Sequence, residues 1–494
     1  MNVLLVNPAC GFQEQVKSAP LGLLSIGTYI KERGHQVRMY DRKLGRLSPK
    51  KAVQGFQPEV VGVSVASSAE IRDGIRISRW FRALGLPVVW GGQFSSLIPE
   101  TILRDGGADY VVIEEGEITF YELVQALENK SELSQVKGIA YLGQSGEMCR
   151  TPAREFADLA DFPMIDWSLI DVPKYFFPSG ELNRDKVLCL YSSKGCPGQC
   201  AFCYNKVFHH SKCRYRPNEH VMGEIEVLAT KFGMNGVYFV DDDMFGADKS
   251  DMRDFCQRLI KLDLGISWRC LMRVSRLSRE DMKLMYDAGC RRIFVGLESG
   301  SPEVQKRMRK KIDLTTIESV IRNCNEIGIQ TTCAFVLGFP GETEAQLRDT
   351  AQLMKRLVSS MNLMHVLAYF PVPCSEAYNA LVEAGKLRAS RTLRQWSKYR
   401  QREDIFDNFS DAPTRDMRVV QAYFVWQSLQ YIIHEKGSKR HGHLRNRIVN
   451  LLRGILQHNL FVVLMYSLSL LKYFLFLFWY SHAYPGIRKK YELE

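Results

Sequence analysis

The chain lacks the features of a secreted or disordered protein. Its first residues, MNVLLVNPAC, contain no charged stretch ahead of a long apolar run, which a secretory signal requires. Its composition, 46% hydrophobic and 24% charged, lacks the polar bias of disordered chains. The thirteen cysteines are odd in number, and several stand in apolar contexts. We therefore expect an ordered cytoplasmic protein in which clustered cysteines serve metal binding or catalysis rather than disulfides.

A length of 494 residues exceeds what one hydrophobic core normally organises, so the sequence predicts more than one domain. A Pro- and Asp-rich stretch near the middle is typical of a linker. The predicted divisions are a first α/β domain at 1–135, a linker at 136–185, a second α/β domain at 186–400 and a helical C-terminal region at 401–494.

The first domain alternates short apolar runs with stretches of helical spacing. Five such runs are predicted strands, at 2–9, 35–41, 59–66, 87–92 and 109–116. Strands that alternate with helices indicate a doubly wound parallel sheet, here of the flavodoxin-like kind. Because such sheets bind ligands at the carboxyl ends of their strands, the small residues that follow these runs are candidate ligand contacts.

The second domain repeats the alternation six times, which predicts a partial (β/α)6 barrel of the TIM type. The predicted strands lie at 187–193, 236–242, 267–274, 291–299, 330–338 and 364–370. Barrel active sites lie at the carboxyl ends of the strands, and the unusual residues cluster there. They are three cysteines, the run Asp241 to Asp243, Arg269 and Arg273, Glu298, and the turn GFPGE at 338–342.

The stretch KGCPGQCAFCYN (194–205) raises the question of what three closely spaced cysteines do. Cys196, Cys200 and Cys203 stand beside Pro and Gly, a setting that poorly suits three incidental cysteines in a packed element. A zinc site needs a fourth ligand, which Cys213, His209 or His210 would have to supply. An iron–sulfur cluster held by three thiolates would instead keep one iron open.

The pattern Cys-x3-Cys-x2-Cys, with Phe202 before the last cysteine and Tyr204 after it, resembles the signature of the radical S-adenosylmethionine (SAM) superfamily. The segments NPA, PLGLLSIGTYI, GVSVASS, GGQ and GE of the first domain resemble the cobalamin-binding domain that many such enzymes carry. The resemblance implies that the three cysteines hold a 4Fe-4S cluster whose open iron binds SAM. One electron then cleaves SAM to methionine and a 5′-deoxyadenosyl radical, which abstracts a hydrogen atom from the substrate.

The resemblance also implies binding residues in both domains. The residues expected to contact SAM are Phe202, Tyr204, Asp241, Asp242, Arg273, Glu298, Gly338 and Pro340. The residues expected to contact cobalamin are Pro20, Leu21, Gly22, Ser64, Ser67, Gly91, Gly92, Glu115 and Gly116. For several of them a structural role is the alternative, such as a solvated carboxylate for Glu298 or an ion pair for Arg273.

The chain lacks the motif Asp-x-His-x-x-Gly, through which many cobalamin domains supply a histidine to cobalt. None of its ten histidines has Asp two positions before it, and Gln93 and Phe94 follow Gly92 where relatives have a histidine. The alternatives are a domain that binds cobalamin without a side-chain ligand, which we favour, and one that no longer binds it.

The resemblance implies methyl transfer to an unactivated carbon of a hydrophobic or natural-product substrate. Oxygen-independent cyclisation or rearrangement, as in tetrapyrrole cyclases, is the alternative, and a non-enzymatic iron–sulfur electron carrier or sensor is a third. An electron donor such as a flavodoxin or ferredoxin is the expected protein partner, and no nucleic acid is expected.

The C-terminal region combines a basic block with an apolar segment. Residues 436–453 contain six Lys or Arg and no acid, and residues 460–480 contain one charge, Lys472. The apolar segment is long enough to span a bilayer, but Lys472 near its middle makes spanning costly. Residues 436–480 therefore predict attachment to a membrane surface, with a buried helix or an RNA-binding block as the alternatives.

Overall fold

The computed structural model describes residues 1–10, 18–45, 48–245, 249–274, 277–399, 409–435 and 485–491. Its strands are β1 (Asn2–Asn7), β2 (Gln36–Asp41), β3 (Val60–Ser64), β4 (Val88–Gly91), β5 (Tyr110–Val112), β6 (Ile139–Leu142), β7 (Met148–Arg150), β8 (Phe177–Ser179), β9 (Arg184–Leu190), β10 (Ser193–Gly195), β11 (Cys213–Tyr215), β12 (Gly236–Phe239), β13 (Ser267–Leu271), β14 (Cys290–Glu298), β15 (Gln330–Leu337) and β16 (Leu363–Ala368).

The helices alternate with these strands through both α/β regions. They are α1 (Leu21–Lys31), α2 (Pro49–Ala52), α3 (Ile71–Arg82), α4 (Gln93–Leu97), α5 (Pro99–Arg104), α6 (Glu117–Asn129), α7 (Asn205–Phe208), α8 (Asn218–Phe232), α9 (Lys249–Leu262), α10 (Arg279–Asp287), α11 (Pro302–Met308), α12 (Ile317–Ile327), α13 (Glu344–Leu357), α14 (Glu376–Glu383), α15 (Leu393–Trp396), α16 (Thr414–Glu435) and α17 (Pro485–Lys490).

The first sheet has the order β2-β1-β3-β4-β5-β6-β7, and β1 to β5 are parallel. Its central strands β1, β3 and β4 are apolar on both faces because helices cover both, with α1 and α6 on one side and α3 and α5 on the other. The order 2-1-3-4-5 is the predicted flavodoxin-like arrangement, which is therefore confirmed. The strand order reverses between β1 and β3, where such sheets bind ligands.

Two further strands extend the first sheet beyond residue 135. β6 pairs antiparallel with β5, and β7 pairs antiparallel with β6. Both lie within residues 136–185, the stretch predicted to be a linker. The domain boundaries themselves stay a prediction.

The second sheet has the order β16-β15-β14-β13-β12-β9-β8. Six of its strands, β9 and β12 to β16, are parallel and lie side by side in chain order. Strand β8 pairs antiparallel with β9 at one edge. Among the residues described, β8 and β16 do not pair, so the sheet stays open. The predicted partial barrel is therefore confirmed.

The chain then returns to the first domain. Leu393 and Trp396 of α15 join the core that α3 and α5 cover, and the Leu393 amide donates to Asp105 Oδ2 at 2.7 Å. Helix α16 packs against β16. The described ranges contain no helix that is long and apolar enough to cross a membrane. The basic block at 436–453 and the apolar segment at 460–480 lie outside the described residues.

Candidate functional site

A cavity lies where the carboxyl ends of the first sheet face the second domain. Its volume is about 400 Å³, within a cleft that opens to solvent and whose total empty space is about 1550 Å³. Residues at the ends of β1, β3, β4 and β5 form one wall. Residues of β10, α7 and the loop after β12 form the opposite wall. The cavity therefore occupies the switch point of the first sheet and is closed by the second domain.

Most of the residues expected to contact cobalamin line this cavity. They are Pro20, Leu21, Gly22, Ser64, Gly91, Gly92, Glu115 and Gly116. Ser67 is not among the lining residues. It begins a capping box ahead of α3, in which its amide donates to Glu70 Oε2 at 3.1 Å. Ser67 is thus placed to cap a helix, whereas the other eight surround one space.

The cavity also extends beneath the edge of the sheet, on the face that α1 and α6 cover. Leu5, Val89, Val112 and Phe120 line it there. Gly62 lies among them, and a Cβ added at Gly62 would approach Leu5 Cδ2 and Phe120 Cζ to 3.0 Å. A polar chamber that continues into an apolar slot fits cobalamin, which joins a broad amide-rimmed macrocycle to a nucleotide tail.

Gly92 follows β4 with a left-handed backbone, at φ 101°. A Cβ there would lie 3.0 Å from the carbonyl oxygen of Val65, so glycine is required by conformation and by space. The next residue, Gln93, stands where a histidine was expected. Its Nε2 donates to the Tyr204 hydroxyl at 3.3 Å and so links the cavity wall to the cysteine segment.

Two aspartates after β12 have different roles in the second wall. Asp242 accepts from the Tyr204 hydroxyl at 2.5 Å and from Asn205 Nδ2 at 2.9 Å, and burial raises the pKa of its carboxyl. Asp241 accepts from the amides and hydroxyls of Ser192 and Ser193 at 2.5–3.2 Å. Asp241 therefore holds the chain between β9 and β10, while Asp242 orients Tyr204.

An ion-pair cluster fastens the β10–β11 hairpin to the start of α6. Lys194 Nζ lies 2.6 Å from Glu117 Oε1 and 4.0 Å from Glu115 Oε2, and Arg214 pairs with Glu115. Burial alone would raise the pKa of Glu117, but Lys194 and the Ser25 hydroxyl hold it below its ordinary value. No local sequence motif contains Lys194, Glu117 or Arg214, so none of the three was predicted to lie at the site.

His209, which the sequence suggested only as a possible zinc ligand, also lies at the cavity. Its ring lines the cavity, and its buried Nδ1 has no hydrogen-bond partner in the described part of the chain. Burial and the nearby cations Lys194 and Arg214 lower its pKa to about 3. His209 therefore presents a neutral imidazole to the cavity at physiological pH.

The three cysteines occupy the loop between β10 and α7, directly behind the second wall. A Cβ on Gly198 would come within 3.2 Å of Cys196 Sγ and 3.8 Å of Cys200 Sγ, so these two sulfurs flank one glycine. The amides of Gly198 and Asn205 point at Cys196 Sγ and Cys203 Sγ, at 3.3 and 3.4 Å. Burial raises the pKa of Cys196 and Cys203 to about 12 in the metal-free protein.

Three clustered thiols with amide donors to sulfur are a donor set suited to an iron–sulfur cluster. Within the described ranges, no three His, Cys, Asp or Glu side chains are arranged to hold a single metal ion. The zinc alternative, with Cys213, His209 or His210 as fourth ligand, therefore finds no preformed site there.

Two partly buried ion pairs flank the cysteine loop. Glu298 ends β14 at a positive φ of 64°, and its Oε1 lies 2.8 Å from Lys310 Nζ. Arg273 Nε lies 2.7 Å from Asp243 Oδ2, which is itself 3.6 Å from Cys196 Sγ. Burial raises the pKa of the Cys200 thiol, and the Lys310 and Arg273 cations partly offset that rise. Lys310 was not predicted, because its pairing with Glu298 crosses a loop.

The GFPGE turn supports the cysteine loop from the other side. The Phe339 ring meets the Phe202 ring edge to face, at 6.5 Å between centroids. Gly338, at φ 81°, donates its amide to Glu342 Oε2 at 2.7 Å, and Pro340 follows in the same turn. The residues expected to bind SAM thus form two groups. Tyr204, Asp241 and Asp242 line the cavity; Phe202, Arg273, Glu298, Gly338 and Pro340 belong to the loops around the cysteines.

Two family models match the chain in the regions just described. The B12 binding domain matches residues 15–124, and the Radical SAM superfamily matches residues 190–354. The first match covers one wall of the cavity except for its β1 residues, and the second covers the cysteine loop and most of the partial barrel.

Several curated proteins and solved structures are similar over both regions. An uncharacterized methyltransferase of Pyrococcus horikoshii is 28% identical over 345 residues, covering 68% of this chain and 73% of the relative. The anaerobic magnesium-protoporphyrin IX monomethyl ester cyclase of Synechocystis is 28% identical over 371 residues, covering 72% of each. The radical SAM methyltransferase TsrM of Kitasatospora setae, solved with tryptophan and a SAM analogue, superposes with a TM-score of 0.66. It is 21% identical, over 82% of this chain and 83% of that one.

Proposed function

We propose that this chain, a radical SAM protein with an N-terminal B12-binding domain, is a cobalamin-dependent methyltransferase. Its cofactors are a 4Fe-4S cluster, SAM and cobalamin. The proposed reaction is methyl transfer to an unactivated carbon of a hydrophobic or natural-product molecule. The observation that carries the proposal is the cavity between the two sheets, whose far wall leads directly into the cysteine loop. The similar methyltransferases from Pyrococcus and Kitasatospora support it.

The proposed roles follow from where the side chains lie. Cys196, Cys200 and Cys203 would hold the cluster, and the eight lining residues of the first domain would hold cobalamin. Glu298 and Arg273 would meet the polar groups of SAM beside the cysteines, while Asp242 fixes the Tyr204 hydroxyl at the boundary with the cavity. When bound, these cofactors supply an electron that cleaves SAM and a carrier for its methyl group.

The chain's own residues give the cavity an apolar deep end and place an uncharged imidazole in its wall. Gly195 lines the cavity and Cys196 is the next residue, so the cavity wall continues directly into the first cysteine. Neutral His209 offers a hydrogen bond to an amide of the macrocycle without adding a charge to the wall. Leu5, Val89 and Phe120 exclude water from the deep end of the cavity. Water exclusion protects a reactive intermediate from side reactions.

Oxygen-independent cyclisation is the second candidate. It is supported by the Synechocystis cyclase, which matches as long a share of this chain as the methyltransferase does. A simple electron carrier is less favoured, since carriers usually close the cluster with a fourth thiolate.

Product analysis after anaerobic reconstitution separates these proposals. With SAM, cobalamin and a reductant, a methyltransferase should leave S-adenosylhomocysteine from the SAM that donates its methyl group, together with 5′-deoxyadenosine from a second, reductively cleaved SAM. A cyclase should form 5′-deoxyadenosine alone. An intact cluster that yields neither product would exclude both radical reactions.

Cysteine variants supply the matched control. Cys196→Ala should abolish 5′-deoxyadenosine because it removes one of three cluster thiolates. Cys213→Ala, on the neighbouring strand β11, should keep both the iron and the product. Equal loss in the two variants would contradict the assigned ligand set.

We further propose that residues 436–480 attach the protein to the inner face of a membrane. The support is the basic and apolar composition of these residues. Attachment there suits the hydrophobic substrate proposed above.

A further inference from the structure

Reductive cleavage of SAM consumes one electron for each SAM cleaved, giving methionine and a 5′-deoxyadenosyl radical. A one-electron donor must therefore reach the cysteine loop from outside. The inference below rests on the proposed radical chemistry and asks where that donor docks.

Five cations lie within six residues at the end of α11, in the sequence KRMRKK (306–311). Lys310 is directed inward, where it pairs with Glu298 and lies close enough to the Cys200 thiol to lower its pKa. The other four side chains are exposed. We call these four the basic ridge: Lys306, Arg307, Arg309 and Lys311. In this short segment, one cation therefore lies beside the cysteines and the other four lie in solvent.

The same segment is joined directly to the cysteine loop. The amide of Ala201, between Cys200 and Cys203, donates to the carbonyl of Met308 at 2.9 Å. The Phe202 ring packs with the apolar cluster that contains Val304 and Met308. A protein seated on the basic ridge would therefore be separated from the cysteine loop only by the segment itself.

The positive charge of the ridge is only partly neutralised. Glu376 pairs with both Arg309, at 2.7 Å, and Lys206, at 2.9 Å, so two cations share one carboxylate. In the part of the chain that the structure describes, neither Lys306 nor Lys311 has an ion pair. The cavity side of the cysteine loop is different, since its cations Lys194 and Arg214 are paired with Glu117 and Glu115. The ridge therefore offers an acidic partner cations that no carboxylate of the described ranges neutralises.

We infer that the basic ridge is the docking surface for an acidic one-electron carrier, and we assign a flavodoxin as its occupant. Charge complementarity of this kind accelerates encounter and falls with ionic strength. The ridge thus brings the carrier's flavin to the cysteine loop from the side opposite the cavity proposed to hold cobalamin.

The test measures cluster reduction in the reconstituted full chain, by loss of cluster absorbance in stopped flow. Reduced flavodoxin is the donor in one series and dithionite in the other. Cluster reduction does not require SAM cleavage, so this readout fails or succeeds independently of the proposed function. The ridge variant is Lys306→Glu with Lys311→Glu, which breaks no ion pair. The matched control, Lys231→Glu with Lys261→Glu, reverses two exposed charges on α8 and α9.

At low ionic strength the ridge variant should be reduced by flavodoxin about tenfold more slowly than wild type, with the dithionite rate unchanged. Added salt should slow wild type and narrow this difference, and the control variant should behave like wild type. A flavodoxin rate within about twofold of wild type in the ridge variant would overturn the inference. So would an equal slowing in the control variant.

Discussion

At the residue scale, Glu342 is a buried carboxyl whose pKa is raised. Burial raises its pKa from 4.5 to about 7, and its Oε1 has no hydrogen-bond partner among the described residues. The folded state therefore binds this proton more tightly than the unfolded state. Stability from this group is complete below pH 4.5 and is lost as the pH rises towards 7.

Glu342→Gln should remove this pH dependence. Wild type should lose on the order of 3 kcal/mol between pH 5 and pH 8 through this one group, because each unit of pKa shift corresponds to about 1.4 kcal/mol. The variant keeps an acceptor for the Gly338 amide and gains no charge. Urea unfolding of the apo protein across this range measures the difference. Parallel pH profiles for the two proteins would contradict the assigned protonation.

Two adjacent glycines should respond differently to a methyl group. Gly92→Ala should lower the melting temperature because its Cβ would meet the Val65 carbonyl at 3.0 Å on a left-handed backbone. Gly91→Ala should not, since the nearest atom to its Cβ is 3.8 Å away. Both should weaken corrinoid uptake, measured by absorbance, because both line the cavity. Equal melting temperatures would contradict the strain assigned to Gly92.

Single residues were predictable where a short motif contains them. The cysteines, the Gly-Gly pair and GFPGE stand in local patterns, and the structure places them around one cavity and one loop. Lys194 and Glu117 were not predictable, because they meet across 77 residues of chain. Ser67 was named on its position after a strand; it lies in a capping box ahead of α3 and outside the cavity lining, and its contact with cobalamin stays a prediction.

At the scale of elements, the β10–β11 hairpin carries the cysteine loop and is held by its ion pairs. Lys194→Met would leave the buried Glu117 carboxylate without its cation. We expect a loss of about 3 kcal/mol or more in the free energy of unfolding, measured in urea. Lys194→Met with Glu117→Gln should recover most of this loss.

An exposed ion pair is the control for that experiment. Lys31 pairs with Asp166 at 2.5 Å, with side chains 45% and 30% exposed. Lys31→Met should therefore cost less than about 1 kcal/mol. A double variant at Lys194 and Glu117 that is as unstable as the single one would show that packing, not charge, holds the hairpin.

Apolar runs located every parallel strand of the two sheets, but not always its ends. Strand β5 covers only three residues of the run 109–116, and β9 begins three residues before the run 187–193. The joining of β6 and β7 to the first sheet was not predictable, since antiparallel pairing at an edge depends on long-range contacts. The three-residue strands of the hairpin are too short for any periodicity.

At the scale of the whole molecule, the proposed membrane attachment rests on the C-terminal region. Full-length protein should sediment with membranes in cell fractionation, and a chain truncated after residue 435 should not, because the truncation removes the basic and apolar residues. Replacing the six cations of 436–453 with Gln gives a milder variant, which should be released by added salt. Full-length protein that stays in the soluble fraction would contradict membrane attachment.

The cavity between the sheets also limits how such a protein can be rearranged by recombination. Its floor comes from residues 5–120 and its opposite wall from residues 191–242, with Glu115 and Glu117 paired across the gap. If the first domain were replaced by that of a relative, the new domain would need carboxylates at the positions of Glu115 and Glu117. Without them, Lys194 and Arg214 would lose their ion-pair partners in a largely buried site. The two halves are therefore expected to be inherited together, so that a chimera grafted near residue 135 succeeds only with compensating charges in the hairpin.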